Sequence, residues 1–581
     1  MKRSLAPFLF LLAFGCATVP PAPAPPVHVV VVGTTDVHGW FAGHVETPQG
    51  GGEGVLWGGL PTLTSYIDAL RAENHGNVIV VDSGDLFQGT LESNLFEGEP
   101  VVRGYNAIGY TAAAVGNHEF DFGPVGPNSV PRSFDDDPLG ALKRNAALAS
   151  FPFLSANMLD RKTGKTPEWA KPYTIVRSGG ARIGIIGLST PDTPNVTMGA
   201  NVMTLEFTDP IAATIAAAKE LRGQGADAVI VIAHMGGRCH DISDPNDMHS
   251  CEPSHEAMEF MQRIPEGVID GFFAGHTHSQ MRHYMKGIPV VQALLYSREF
   301  STTDFWIDTK NHKVTKAEMR PHTMICSFIY QGTESCDPKK APEGARLIPR
   351  VFANRRIVPD VRVANVIEPF LKRVAAKREE KLGITTTAPF PRNYQAESPI
   401  GDLIADALRD ALDADFGIMN SGGIRDEFPA GELIYAHMFA VSPFDNYPAK
   451  VTLTGAQIVE ILRVMADGRR GIAQISSGLL YTIDAGKPVG SDRLAGATLA
   501  DGSPIDPQKL YTVVTPDFVA LGGDGTQDVM KEVPPERVQV FFAQPLREVL
   551  IEQLKKRPQP LVPKTEGRVT VLNAPAGARR Q

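Results

Sequence analysis

Val27-His-Val-Val-Val-Val-Gly-Thr-Thr-Asp-Val-His38-Gly39 reads as a β-strand that runs straight into residues able to bind a metal ion. Five of the six residues from 27 to 32 are valine, a strand-length, β-branched run that belongs inside a sheet. The same arrangement recurs. Short apolar runs occupy Val78–Val81, Ala112–Val115, Ile183–Leu188, Ala228–Ile232 and Gly271–Ala274. Helical patterns lie between them, such as Leu60–Arg71 and Asp209–Arg222, the second opening on Asp209-Pro210 as cap and first-turn proline. Strand–helix alternation of this kind predicts a layered α/β domain.

The segments that follow the strands carry the chemistry. They are Asp36-Val37-His38, Asp82-Ser83-Gly84-Asp85, Gly116-Asn117-His118-Glu119-Phe120-Asp121, His234-Met235-Gly236 and Gly275-His276-Thr277-His278. Strands that share a sheet bring such segments to one edge, where α/β proteins place their sites. In an extended segment residues two apart point the same way, so Asp36 and His38 can share a metal, as can His276 and His278. Asp85 can bridge two cations through its two oxygens. Imidazole, carboxylate and amide oxygen form a mixed set suited to zinc, manganese or iron, with no cysteine in it. Taken singly, each motif fits a solvated turn or a satisfied core histidine. Five of them at strand ends do not.

In that order and spacing the set resembles the calcineurin-like metallophosphoesterases. The resemblance implies a four-layer α/β/β/α sandwich and two divalent metal ions (Mn, Zn, Co or Fe). One ion would be held by Asp36, His38, Asp85 and His278, the other by Asp85, Asn117, His234 and His276. Some family members have glutamine where His278 stands. Two metals acidify a water and clamp phosphoryl oxygens for in-line displacement. His118 is more useful unliganded, stabilising the transition state or protonating the leaving oxygen, with Asp121 orienting it. The His118–Asp121 pair resembles the dyad of 5′-nucleotidases. Glu119 reads as a capping or surface carboxylate.

The second half narrows the substrate. Glu397-Ser-Pro-Ile-Gly401-Asp402, Asn420-Ser-Gly-Gly-Ile-Arg425, Ser442-Pro-Phe444-Asp-Asn446 and Phe518-Val-Ala-Leu-Gly-Gly-Asp524-Gly525 resemble the C-terminal domain of 5′-nucleotidases. Phe444 and Phe518 can sandwich a flat base, since every base has a π-face. Asn420, Asn446 and Asp524 can bond ring edges or ribose hydroxyls, and Arg425 can meet a phosphate. The family usually has another arginine ahead of the Glu-Ser stretch; Arg392 is the nearby candidate, at an unusual spacing. The implied fold is thus the sandwich plus a second α/β nucleotide-binding domain joined by a helical connector. The expected function is a 5′-nucleotidase, with UDP-sugar diphosphatase activity as an extension. A 2′,3′-cyclic-nucleotide phosphodiesterase with 3′-nucleotidase activity is the alternative, and a binding protein without catalysis is disfavoured by the intact ligand set.

With 581 residues the chain exceeds one compact core. The expected divisions are a leader at 1–16, a proline-rich spacer at 17–26, the phosphoesterase domain at 27–325, a connector with a long helix (361–381) at 326–384, the substrate domain at 385–572 and a tail at 573–581. A net charge of −9 argues against a nucleic-acid polymer as partner and leaves a small anionic nucleotide open, because metals supply local positive charge. The chain is expected to act as a monomer.

Lys2-Arg3, a short apolar run from Pro7 to Phe14 and then Gly15-Cys16 resemble a bacterial lipoprotein signal. Cys16 would carry the lipid, so the protein would be exported to the periplasm or cell surface and touch a membrane only through that anchor; plain secretion is the rival. Export permits disulfides. Cys239 with Cys251 and Cys326 with Cys336 is the expected pairing, although four cysteines allow others and free thiols are the alternative. The polar Cys239–Cys251 loop reads as disulfide-tied, with a third metal site or a substrate lid as the other readings.

Overall fold

The computed structural model describes residues 25–46, 54–126 and 128–574. The expected leader with Cys16, all but the end of the spacer, and the tail from residue 575 lie outside the described residues.

Two mixed sheets form the middle of the first half. In one, Val27–Thr34 pairs in parallel with Val78–Asp82, which continues to Ala112–Ala114 and Phe153–Leu154; Glu299–Asp308 and Lys313–Met319 complete the other side. In the second, Ala181–Ser189, Ala228–His234 and Gly271–Phe273 run parallel, flanked by Tyr173–Ser178 and by the hairpin of Met281–Met285 with Ile288–Gln292. Both faces of the central strands are buried, which is why they read as unbroken apolar runs. Val29, Val31, Ile79 and Val81 of one sheet meet Ile183, Ile185, Ile230 and Ile232 of the other. The alternate residues face outward: Val32 and Val80 pack beneath helices Leu60–Glu73 and Glu99–Ile108, while Val229 and Val231 pack beneath Pro210–Gly223 and Glu256–Arg263. Each fully buried aliphatic side chain contributes roughly 1.5–3 kcal/mol relative to exposure, so a one-residue register slip that exchanged the faces would be very costly. The result is the four-layer α/β/β/α sandwich expected from the motifs. Local signals agree with it. Asp209 caps its helix by accepting the Ile211 N–H at 3.0 Å.

The second half is built on a five-stranded sheet in the order Ala473–Ile475, Phe416–Asn420, Leu510–Pro516, Pro448–Thr454 and Val538–Val540. Helices Pro399–Ala411, Gly455–Met465 and Leu546–Lys556 cover it. Ser398 caps the first of these through the Gly401 N–H at 3.1 Å. The connecting helix is Val361–Arg378, and the chain then enters a strand, Lys381–Thr386, paired with Gly431–Ile434. Val363 and Ile367 belong to the first core. One to two turns later, Phe370 and Val374 join the core of the second half, where Leu91 and Phe96 of the first half also sit.

The helix Pro399–Ala411 is tied to the last strand, Val569–Leu572, by a buried charge cluster. Arg568 donates to both carboxylate oxygens of Asp406 at 3.1 and 2.8 Å, and Glu397 accepts the N–H groups of Glu566, Gly567 and Val569. Asp402 is 4% exposed beside them, and burial together with the neighbouring Glu397 pushes its pKa up to about 8. Because the folded state keeps this proton while the unfolded state releases it near its ordinary value, Asp402 lowers stability progressively as pH rises through the interval between those two values. Thermal melts at about pH 6 and about pH 9 should therefore show a smaller loss of Tm in Asp402→Asn than in the wild type. An equal loss in both would remove Asp402 from the account.

Candidate metal centre

All five ligand-bearing segments emerge from the carboxyl ends of parallel strands, three in one sheet and two in the other. The Ser83 hydroxyl donates to the Phe273 carbonyl at 2.9 Å and joins the two strand ends. Two groups of side chains then converge. Asp36, His38, Asp85 and His278 have ligand atoms within 4.8 Å of one another, and so have Asp85, His234 and His276. Asp85 belongs to both. Asn117 completes the second group, its Oδ1 lying 3.0 Å from His234 Nε2, while its amide N–H donates to the Val196 carbonyl at 2.8 Å and so fixes which atom faces inward.

The outer nitrogens of the rings are anchored. His38 Nδ1 bonds the Gln88 carbonyl at 2.8 Å and His234 Nδ1 the Ser83 carbonyl at 2.9 Å, which turns both Nε2 atoms toward Asp85. His38 Nε2 and His278 Nε2 are 2.9 Å apart, and His278 Nε2 is 3.4 Å from Asp36 Oδ1. Asp85 Oδ2 is buried with no aligned hydrogen bond, 3.0 Å from His234 Nε2 and 3.6 Å from His38 Nε2. Donor atoms crowded together around an unsatisfied carboxylate oxygen fit divalent cations, and the residues present could hold two of them. Burial, and then Arg425 and neighbouring imidazoles, hold His38 well below its ordinary pKa. Burial with His234 lowers His276 to about 3. Both rings are thus neutral, the form that ligates metal. Burial opposes charge on His234 too, but Asp85 outweighs it and raises that ring to about 10.

Asp36, His38, Asp85, His276 and His278 all have positive φ, between 48° and 78°. Such backbone is costly for non-glycine residues and persists where the surroundings over-determine it. Two glycines show how tight those surroundings are. A Cβ on Gly84 (φ 98°) would fall 2.8 Å from His234 Nδ1, and one on Gly116 only 2.2 Å from Asp85 Oδ1.

Glu119 corrects its reading as a cap or surface carboxylate. It is 1% exposed and accepts three backbone N–H groups, those of Asp85 at 2.8 Å, Leu86 at 2.6 Å and Gly116 at 2.7 Å. One side chain thereby fastens the Asp85 loop to the Asn117 loop. No local pattern announces this, because the Asp85 and Leu86 donors lie over thirty residues away. His118 is next to it. Its Nδ1 bonds Asp121 Oδ2 at 2.6 Å, and Thr197, which the motifs did not single out, holds Asp121 Oδ1 at 2.8 Å. Burial works against a charged imidazole here, yet Asp121 and Asp85 outweigh it and raise the His118 pKa.

The second half closes over this centre. A cleft of about 2260 Å³ is lined by Asp85, Asn117, His118, His276 and His278 on one side and by Asn420, Arg425, Phe444, Asn446, Phe518 and Asp524 on the other. Arg425 Nη2 is 3.2 Å from His38 Nε2, and the Phe444 and His118 ring centroids are 5.5 Å apart. Asn420 donates to Asp524 at 2.7 Å and Asn446 to Asp517 at 2.9 Å. Arg392 also lines the cleft, but it donates to the Ile424 carbonyl at 3.0 Å. The Cys239–Cys251 and Cys326–Cys336 disulfides are formed. In the first loop Asp241, Asp244 and Asp247 accept the N–H groups of Ser243, Asn246 and His249.

A sequence model of the calcineurin-like phosphoesterases matches residues 29–280, and one of the 5′-nucleotidase C-terminal domain matches residues 376–532. The chain carries a calcineurin-like phosphoesterase domain and a 5′-nucleotidase C-terminal domain. It is a metal-dependent phosphoester hydrolase of two domains. Protein UshA of Yersinia enterocolitica is 26% identical over 529 residues, covering 86% of each chain. A 5′-nucleotidase of Vibrio cholerae is 28% identical over 553 residues, covering 90% of this chain and 91% of its own. The crystal structure of a 5′-nucleotidase precursor from Thermus thermophilus shares the fold with a TM-score of 0.74 at 24% identity, covering 94% of this chain and 100% of the other.

Glu119→Ala strands three buried N–H groups at about 1–3 kcal/mol each and frees the two loops. Metal affinity or activity should fall by about 10–100-fold with unchanged far-UV circular dichroism. Wild-type metal content and turnover in that variant would show that Glu119 does not position the ligands.

Proposed function

We propose that the chain is a nucleotide phosphohydrolase acting on 5′-nucleotides outside the cytoplasm. The observation that carries this reading is the position of Arg425 and Phe444, which bring a phosphate-binding cation and a base-sized aromatic surface to the edge of the metal-ligand cluster. The site suits an anion with a flat group attached.

In this reading Asp36, His38, Asp85 and His278 hold one cation, and Asp85, Asn117, His234 and His276 the other. Bound there, two divalent cations supply Lewis acidity toward a phosphoryl oxygen and a more acidic water. Arg425 neutralises the remaining phosphoryl charge. His118, with Nδ1 engaged by Asp121, directs the proton on Nε2 to the leaving ribose oxygen, and Thr197 keeps Asp121 in place for that task. Phe444 and Phe518 stack on the base, while Asn420, Asn446 and Asp524 meet its edge and the ribose. We assign catalysis to 27–325, the connector to 326–384 and substrate binding to 385–572.

Export with a lipid on Cys16 completes the proposal. Two formed disulfides support an oxidising compartment, and no helix among the described residues is long and apolar enough to cross a membrane.

Phosphate release from AMP, UDP-glucose and 2′,3′-cyclic AMP, each with manganese, cobalt or zinc, tests the assignment. AMP should be hydrolysed. No turnover of any of them with any metal would end the proposal, and turnover confined to the cyclic substrate would move it to a phosphodiesterase. His118→Ala should lower kcat by about 10²–10⁴-fold with metal content retained.

A further inference from the structure

Most cationic side chains lining the cleft are already engaged within the protein. Arg470 pairs with Asp192 at 2.6 Å, Arg493 donates to the Ala485 carbonyl at 2.6 Å, and Arg392 rests on the Ile424 carbonyl. Arg238 is different. Its Nε is buried without a hydrogen-bond partner, and among the described residues no carboxylate oxygen lies within 4.0 Å of its guanidinium. Glu252, which feels the Arg238 charge, is engaged by His255 at 3.0 Å and His240 at 3.4 Å. One N–H of the fork has thus lost water without gaining a partner, which is costly, while the half-buried side chain lines the cleft.

Its backbone is held from both sides. Upstream, Thr277 donates to the Gly237 carbonyl at 2.7 Å, and a Cβ on Gly236 would fall 2.1 Å from the Gly275 carbonyl oxygen. The segment 236–237 is therefore pressed flat against the loop that bears His276 and His278. Downstream, Cys239 is bonded to Cys251, and the Glu252 N–H donates to the Arg238 carbonyl at 2.9 Å. The Arg238 backbone is thus fixed beside the loop of His276 and His278 and its side chain lines the cleft, whereas Arg425 reaches the cluster from the His38 side. A cleft of about 2260 Å³ exceeds the ~300–1,000 Å³ that a single small ligand needs, so room remains beyond one monophosphate.

We propose that Arg238 is a substrate-binding residue for a second phosphoryl group, linked to the one being hydrolysed. The planar fork of a guanidinium matches two oxygens of a phosphate. The substrates it selects are nucleoside diphosphates and their esters, compared with monophosphates of the same nucleoside. This rests on the nucleotide reading above, and it assigns the disulfide-tied loop a purpose, which is to hold that cation still.

The test is the ratio of kcat/KM for ADP to that for AMP in the wild type, Arg238→Gln and Arg238→Lys. In Arg238→Gln the ratio should fall at least tenfold, mainly through the KM for ADP, and Arg238→Lys should recover part of it. A ratio within twofold of the wild type in Arg238→Gln would overturn the proposal. Calorimetric binding of the non-hydrolysable adenosine 5′-(α,β-methylene)diphosphate separates this outcome from failure of the nucleotide reading. Wild-type binding that weakens at least tenfold in Arg238→Gln supports the subsite even if turnover is absent. Equal binding by both refutes the subsite alone, whereas binding by neither overturns the nucleotide reading and the subsite with it.

Discussion

Asp85 is the constraint around which the molecule is arranged. One buried carboxylate has to face two groups of ligands at once, with imidazoles 3.0 and 3.6 Å from the same oxygen. Nothing in a folded chain drives such groups together; their lone pairs and charges oppose it, and burial removes the water that would screen them. The scaffold therefore has to impose the geometry. It does so with two sheets whose apolar faces fix register to the residue, with loops forced into left-handed backbone, and with Glu119 clasping three N–H groups between two of those loops. The stability of the sandwich core offsets the strain of its edge.

That division explains what could be read from the amino-acid sequence. Apolar periodicity is a local property, so the central strands and the helices at 60–73 and 210–223 were legible. The ligands were legible because their segments stand at the ends of such strands, most of them with a glycine in the segment. Glu119 was not, because its role exists only once residues 85–86 and 116 are brought to it, and in Asn-His-Glu-Phe an acid looks like any first-turn residue. Thr197 is hidden for the same reason, seventy-six residues from the aspartate it holds. Arg238 has no local signal either, because its setting forms only when residues 251–252 and 277 are brought beside it. The positive φ values at Asp36, His38 and His278 have only a weak signal, since aspartate and histidine tolerate left-handed backbone without announcing it as glycine does.

The join between domains is as specific as the centre. Arg425 reaches His38, Arg470 pairs with Asp192, and Asn94 donates to the Pro443 carbonyl at 3.0 Å. These contacts are polar and partly exposed, the kind that form and break at modest cost, and they surround the cleft rather than fill it. The charge at the centre is therefore met from the far domain by side chains whose backbones are braced separately from the ligands.

The connecting helix has a different character from those contacts. Val363 and Ile367 are buried in one core and Phe370 and Val374 in the other, with Phe96 crossing to meet Phe370 at 4.9 Å. A tether of ordinary linker would let either half melt alone. Here, unfolding one half strips apolar cover from a helix the other half also needs, so the two exchange free energy through shared atoms. The two cores therefore share one helix, so that loss of order in either half would uncover apolar side chains on a helix the other half packs against.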